Sequence, residues 1–322
     1  MSQKIEGFGI NVDINHFDEK SIDILIETIL KIKARWVRLE ICSNKYKEQD
    51  NLRALLMFTQ KCHKKNIVVS VLFSDFVPLT FLNLFFPQKT YVPVIDRVEA
   101  YEKFVQHVVE LLSGYVNHWE IWNEQNSKRF WIKSPSLDSY LIFLRRITVI
   151  IRAYQKDATI IFGGIFGNDV SPLYPPFIDS ILLQKGFIQE ALSQGAGEIV
   201  DFFAIHPYTR QCFITTSGHE RVSESIIEKI EEARKVYSHI PLLVTEIGVS
   251  PLLNLRVGPR EVALIYQKLL KYSESTQLPL CIYALADQQG NLYGKLNPDR
   301  DFGFLDYDLN PKPLLNEFLQ LL

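Results

Sequence analysis

The chain has 322 residues, 47% hydrophobic and 12% aromatic, which is enough apolar material for a large core and few enough residues for one domain. Lys plus Arg number 35 against 37 Asp plus Glu, and the formal net charge of −2 leaves no electrostatic footprint for nucleic acid or an anionic membrane. The expected partner is therefore uncharged or small.

The chain opens on Met1-Ser2-Gln3-Lys4-Ile5-Glu6-Gly7 and runs straight into strand-like sequence, without the apolar stretch and small-residue cleavage site of a secretory signal. No apolar run reaches the roughly 18 residues of a membrane span. The longest approach, Tyr140 to Tyr154, is interrupted by Arg145, Arg146 and Arg152. Cys42, Cys62, Cys212 and Cys281 form no CxxC pair and read as free thiols in a reducing compartment. A cytoplasmic protein is the expectation.

Eight short apolar, β-branched runs follow in order: Phe8–Asp13, Trp36–Ile41, Ile67–Phe73, His118–Glu124, Thr159–Ile165, Phe202–Tyr208, Leu242–Gly248 and Leu280–Asp287. Between them lie helical patterns such as Ile22-Leu25-Ile26-Ile29-Leu30 and Tyr101-Phe104-Val105-Val108-Val109-Leu112, spaced near i, i+3, i+4, i+7. Continuous apolar strands imply burial on both faces, as in a parallel sheet wrapped by helices. Eight βα units over this length predict one (β/α)₈ TIM barrel spanning residues 1–322. A dinucleotide-binding fold is disfavoured, because Gly7-Phe8-Gly9 is only GxG and precedes the strand. The last helix is expected over Lys312 to Leu322, after the prolines of Asn310-Pro311-Lys312-Pro313. The long stretches Ser74 to Val92, Ala191 to Val200 and Asp287 to Pro311 are candidate rim loops.

In such a barrel the active site lies at the carboxyl ends of the strands, so the last residues of each run are candidates. They are Asp13 and Asn15, Arg38 and Glu40, Asp75, Asn123 and Glu124, Phe166 and Asn168, His206 and Tyr208, Glu246, and Tyr283 and Asp287. Glu124 and Glu246 close the fourth and seventh strands, and two such carboxylates can cleave a glycosidic bond as acid and nucleophile. Trp122 is expected to desolvate Glu124 and raise its pKa for the acid role. Arg38 and Tyr208 are the expected donors that keep Glu246 ionised. Because adjacent strand residues face opposite ways, Asn123 and Glu124 can both enter the site only if the strand ends in a bend or bulge.

Plainer readings stand beside these. Arg38 could pair with Glu40 or Glu120 as a structural ion pair, His206 could be a satisfied core histidine, and Trp131 and Tyr283 could pack the rim. His16, His63, His107, His118, His219 and His239 show no HxH or HExxH spacing, so neither a metal nor another cofactor is expected.

Trp119-Glu120-Ile121-Trp122-Asn123-Glu124, followed by Asn126, Phe130 and Trp131, resembles the acid/base segment of clan A retaining glycoside hydrolases. It is most similar to that of family 39, the β-xylosidase and iduronidase family. Gly163-Gly164, Asp201-Phe202-Phe203-Ala204-Ile205-His206-Pro207-Tyr208, Thr245-Glu246-Ile247-Gly248 and the tail Gly303-Phe304-Leu305-Asp306-Tyr307-Asp308 match in the same order. The resemblance implies Glu124 as acid/base, Glu246 as nucleophile and Asn123 as ligand of the sugar 2-hydroxyl. It also implies that Arg38, His206 and Tyr208 position nucleophile and substrate. Trp122, Trp131, Tyr283 and Asp287 complete the expected substrate site, with a carbohydrate as partner. Gln125 stands where proline is usual, and Tyr283 where these enzymes often carry a tryptophan platform. The competing expectation is a non-catalytic carbohydrate-binding barrel that kept the cleft; a metal-dependent barrel hydrolase is a third. No coiled-coil seam or exposed strand edge points to an oligomeric state.

Overall fold

The computed structural model describes residues 4–14, 18–43, 45–46, 49–74, 97–127, 130–131, 136–170, 184–212, 217–250, 257–288 and 301–322. Asn15, His16, Asp75 and most of two expected rim loops lie outside these residues.

The strands are β1 (Phe8–Val12), β2 (Trp36–Cys42), β3 (Val68–Ser74), β4 (His118–Asn123), β5 (Thr159–Phe166), β6 (Phe202–His206), β7 (Leu242–Ile247) and β8 (Leu280–Ile282). They pair in sequence order, all in parallel, and β1 closes on β8, so the structure is a (β/α)₈ barrel. The described helices are α1 (Glu19–Lys31), α2 (Gln49–Lys64), α3 (Val98–Leu112), α4 (Leu137–Tyr154), α5 (Phe187–Ser193), α6 (His219–Val236), α7 (Pro259–Thr276) and α8 (Pro313–Leu319). Local chemistry starts several of them. Asp18 accepts the Ser21 N–H at 3.0 Å ahead of α1, and Ser136 does the same for Ser139 ahead of α4. Before α7, Pro259 follows Gly258, whose N–H is met by Glu261 at 3.0 Å. Among the described residues, no helix is long and apolar enough to cross a membrane.

Two cores result from strands that are apolar on both faces. Outward strand residues and the inner faces of the helices form the larger one. Inside the barrel, Trp36, Ile161, Ala204, Leu243 and Cys281 plug the amino-terminal end together with Ile5. Gly9 makes room for this plug, since a Cβ there would stand 2.3 Å from the Trp36 ring. Above the plug the interior turns polar, with buried Asn11, Arg38, Glu120 and Thr245. A polar layer on an apolar floor lifts chemistry toward the carboxyl ends of the strands.

Two expectations are corrected here. Ala191 to Val200 is no rim loop: it finishes α5, makes a 3₁₀ turn at Ala196–Glu198 and leads into β6, at the opposite end of the barrel from the site. β8 is also much shorter than the apolar run suggested. It stops at Ile282, and Ala286 bridges instead to Leu305 of the tail.

Candidate active site

Along β4, Glu120 points into the barrel and Ile121 outward, as a regular strand requires. Trp122 then adopts φ 73° and Glu124 φ 48°. Positive φ at two non-glycine residues costs roughly 1–3 kcal/mol each, and it breaks the alternation. The Trp122 indole turns outward, stacking edge-on against Trp131 (5.4 Å between centroids), Phe143 (5.5 Å) and Tyr101 (6.0 Å), and its Nε1 donates to the Phe130 carbonyl at 3.2 Å. Asn123 and Glu124 are thereby both presented to the site. The Glu124 N–H is fixed by the Gly164 carbonyl at 2.7 Å.

The expected bend is present, and the Trp122 ring packs against Tyr101, Trp131 and Phe143 in the layer of helices. Trp131 likewise packs against Trp122, Tyr140 and Phe143, in the layer between barrel and helices. Both tryptophans are supports of the β4 turn, not sugar platforms.

Arg38 sits at the centre of the polar layer. Its Nε and Nη2 donate to the two oxygens of Glu120 at 2.6 and 3.0 Å, Nη2 also donates to Asn123 Oδ1 at 2.8 Å, and Nη1 donates to Asn11 Oδ1 at 2.9 Å and Glu246 Oε2 at 3.0 Å. Burial works against the guanidinium charge, yet Glu120 and then Glu246 hold its pKa above the ordinary value. Arg38 is therefore both the structural ion pair with Glu120 and the expected donor to Glu246. Tyr208 supplies the second donor, Oη to Glu246 Oε1 at 3.0 Å. Burial, then the charge of Glu246, push that phenol well above its usual pKa, so it remains a donor.

His206 lies fully buried between the two carboxylates. Its Nδ1 is 2.9 Å from Glu124 Oε1 and 4.0 Å from Glu246 Oε2, and its Nε2 is 3.1 Å from Thr245 Oγ1. Burial, then the Arg38 charge, hold the imidazole well below its ordinary pKa, so it is neutral near pH 7. The ring fits only because residue 164 is glycine: a Cβ there would stand 2.0 Å from Nε2. A register shift in β5 between Phe162 and Ile165 accompanies this glycine pair.

Tyr283 is half-buried at the end of β8, its ring edge-on to Phe302 at 5.3 Å and close enough to Tyr208 to act on its hydroxyl. It stands at the rim where the expected platform belongs. Asp287 does not. Its carboxylate is held by Lys312 Nζ at 2.8 and 3.0 Å and by the Gly303 N–H at 2.7 Å, latching the tail to the barrel. At the mouth, Glu40 accepts from Ser74 Oγ at 2.5 Å and Asp13 pairs with Lys45. Phe166 packs near Tyr208, and Asn168 is bound to Lys229 and Glu232 of α6, away from the chemistry.

Three participants were not expected in the site. Glu120 was considered only as an ion-pair partner, although it lies on the inward phase of β4, four residues before Glu124. Asn11, mid-strand in an apolar run, and Thr245, next to Glu246, carried only the signal of a polar residue at an inward position. One ligand-type atom from each of Glu124, His206 and Glu246 falls within 4.8 Å of the others, which is the spacing of a cation site. Arg38 and Tyr208 already place positive and donor groups on both oxygens of Glu246, so the cluster fits paired carboxyl chemistry better than a divalent ion.

No family model matches the chain, and no curated sequence matches it. Solved structures do. A family 39 glycoside hydrolase from Bacteroides cellulosilyticus superposes with a TM-score of 0.61 at 20% identity, covering 98% of this chain and 63% of that one. An exo-β-1,4-mannosidase from an Opitutaceae bacterium gives 0.67 at 15% identity, covering 98% and 59%. A GH5_18 protein from Streptomyces cattleya, solved with GlcNAc, gives 0.71 at 13% identity, covering 99% and 80%. The fold is thus the barrel that clan A glycoside hydrolases of families 39 and 5 share. This chain spans 63% and 59% of the first two proteins' length.

Proposed function

We propose that this protein is a retaining glycoside hydrolase acting on β-linked O-glycosides, with Glu246 as nucleophile and Glu124 as acid/base. The observation that carries the reading is the approach of the two carboxylates, with oxygens within 4.8 Å, in contrasting surroundings. Retaining enzymes hold their carboxyl groups about 5–5.5 Å apart, whereas inverting ones leave about 6.5–9.5 Å for a water. Glu246 receives a guanidinium and a phenol, which favour its ionised form. Glu124 faces a neutral imidazole instead, which can accept a proton's hydrogen bond or donate one.

In the first step a Glu246 oxygen attacks the anomeric carbon while Glu124 gives its proton to the departing oxygen. In the second, Glu124 takes a proton from water, whose oxygen displaces Glu246. Each acid–base contribution is worth roughly 10²–10⁴-fold in rate. Asn123 Oδ1 is anchored on Arg38, which leaves its amide free to turn to the sugar 2-hydroxyl, and Tyr283 is the platform for the ring. The barrel folds of glycoside hydrolases named for xylose, mannose and glucuronic acid linkages support the substrate class without choosing the sugar.

The test is a panel of aryl β-xylosides, glucosides, mannosides, galactosides and glucuronides with anomer-resolved products. Net retention is expected for at least one, and Glu246→Gly should abolish turnover and form a glycosyl azide when azide is added. An inverted product, or full activity in Glu246→Gly, overturns the reading.

A further inference from the structure

Behind Glu124 the polar layer forms an unbroken chain: Glu124 Oε1 to His206 Nδ1 at 2.9 Å, His206 Nε2 to Thr245 Oγ1 at 3.1 Å, and Thr245 Oγ1 to Glu120 Oε1 at 3.2 Å. A neutral imidazole carries one proton and a threonine hydroxyl one, so the chain has only two consistent arrangements. In the first, Thr245 donates to the Glu120 carboxylate and must accept from His206 Nε2–H. The bare Nδ1 then accepts a proton from Glu124, which is a carboxylic acid. In the second, Glu124 is ionised and accepts from Nδ1–H, Nε2 accepts from Thr245, and the Thr245 to Glu120 bond is given up.

We propose that Thr245 is a positioning residue that selects the His206 tautomer and, through it, holds the proton on Glu124 until the leaving oxygen takes it. The proposal rests on the reading of Glu124 as acid/base. Glu120 biases the hydroxyl toward the first arrangement, since a charged acceptor outcompetes a neutral ring nitrogen. Once Glu124 has released its proton to the leaving oxygen, Nε2–H stays bound to Thr245 and Nδ1 stays bare, so His206 gives the carboxylate no donor that would weaken it as the base toward water. One hydroxyl thus serves both halves of the reaction, and Glu124 is the one group in the chain whose charge changes. The burial that keeps His206 neutral supports this, because a protonated ring would hold both donors on and erase the choice.

Other groups face the chain and are common to both arrangements. Glu120 is held by Arg38 of β2 and by the Gly164 N–H of β5 at 2.9 Å. His206 lies 4.0 Å from Glu246 of β7 and in the field of Arg38. Tyr208, of the segment after β6, lies within the field of both Glu246 and Glu124, and Tyr283 after β8 adjoins Tyr208.

The experiment compares kcat/KM against pH for the wild type, Thr245→Val and Thr245→Ser on one aryl glycoside, beside the tautomer of His206 read from ¹⁵N shifts of the labelled protein. Removing the hydroxyl leaves Nε2 facing an alkyl group, which favours Nδ1–H and ionised Glu124. The alkaline limb of Thr245→Val should move down by about 0.5–1 pH unit, and Thr245→Ser should restore it. In wild-type protein the ring should be Nε2–H below that limb and Nδ1–H above it, and Glu124→Gln, whose amide donates to Nδ1, should stay Nε2–H throughout. A Thr245→Val profile that overlays the wild type, a Thr245→Ser limb displaced as far as valine's, or a wild-type ring in one tautomer on both sides of the limb overturns the proposal. If Glu124→Gln instead keeps wild-type turnover, it is the acid/base reading that fails.

Discussion

Tyr208 Oη lies 3.0 Å from Glu246 Oε1, while the other oxygen of that carboxylate is bound by Arg38, so Glu246 has one donor on each side. Donors to the charged form lower a carboxyl pKa, and removing one raises it. In Tyr208→Phe the acid limb of kcat/KM should therefore move to higher pH by about one unit, because the nucleophile protonates sooner. Its plateau should fall roughly tenfold as the carboxylate loses orientation. The phenol itself stays protonated across this range, so the alkaline limb should not move with it. An unchanged acid limb would show that Arg38 alone sets Glu246.

Arg38 and Glu120 make a different demand, on folding. Both are buried, and Glu120 is completely inaccessible. Removing one partner of such a pair costs about 3–5 kcal/mol, whereas replacing both with apolar side chains is often near neutral. Arg38→Met should lower the unfolding free energy by about that amount in urea titrations, and Arg38→Met combined with Glu120→Met should recover most of it. Activity should stay lost in both, since the donor to Glu246 is gone. A double variant no more stable than the single one would contradict the pairing.

The barrel was legible because strands buried on both faces leave no polar alternation to misread, and the fourth and seventh apolar runs each closed on or near a glutamate. Glu124, Glu246, Arg38, His206 and Tyr208 met as expected for that reason. Trp122 did not, because the sign of φ at one residue decides whether its indole faces sugar or helix, and no periodicity encodes that sign. Asp287 misled because its partner Lys312 comes from the tail, and only closure of the chain brings them together. Thr245 and Glu120 were silent for a related reason: two polar residues on separate strands become one chain only when β4, β6 and β7 share a layer.

Gly164 tests how tightly that layer is packed. A Cβ at this position would lie 2.0 Å from His206 Nε2 and 2.6 Å from its Cδ2, too close for any adjustment short of moving the ring. Gly164→Ala should cost roughly 1–3 kcal/mol of stability by overpacking. It should also lower kcat/KM by about 10² or more, since displacing His206 breaks its contacts to Glu124 and Thr245. Gly114→Ala, where no atom lies within 4 Å of the added carbon, is the control and should match the wild type in activity. Crystals of Gly164→Ala with His206 undisturbed would refute the steric argument.

His118, at the start of β4 below the site, offers a pH dependence separate from catalysis. It is buried, and burial draws its imidazole down to about 4, opposed only by Asp201. The unfolded chain takes up a proton near pH 6.5 while the native one does not, so the unfolded state is favoured as pH falls between those values. Above pH 6.5 both states are neutral and the contribution is complete. His206, whose pKa is also depressed, adds to the same slope. Urea titrations at successive pH values should give a stability difference, wild type minus His118→Gln, that rises by about 1.4 kcal/mol per unit between pH 4 and 6.5 and then levels. A difference that is flat across that window would mean that His118 is hydrated in the native state and titrates as it does in the open chain.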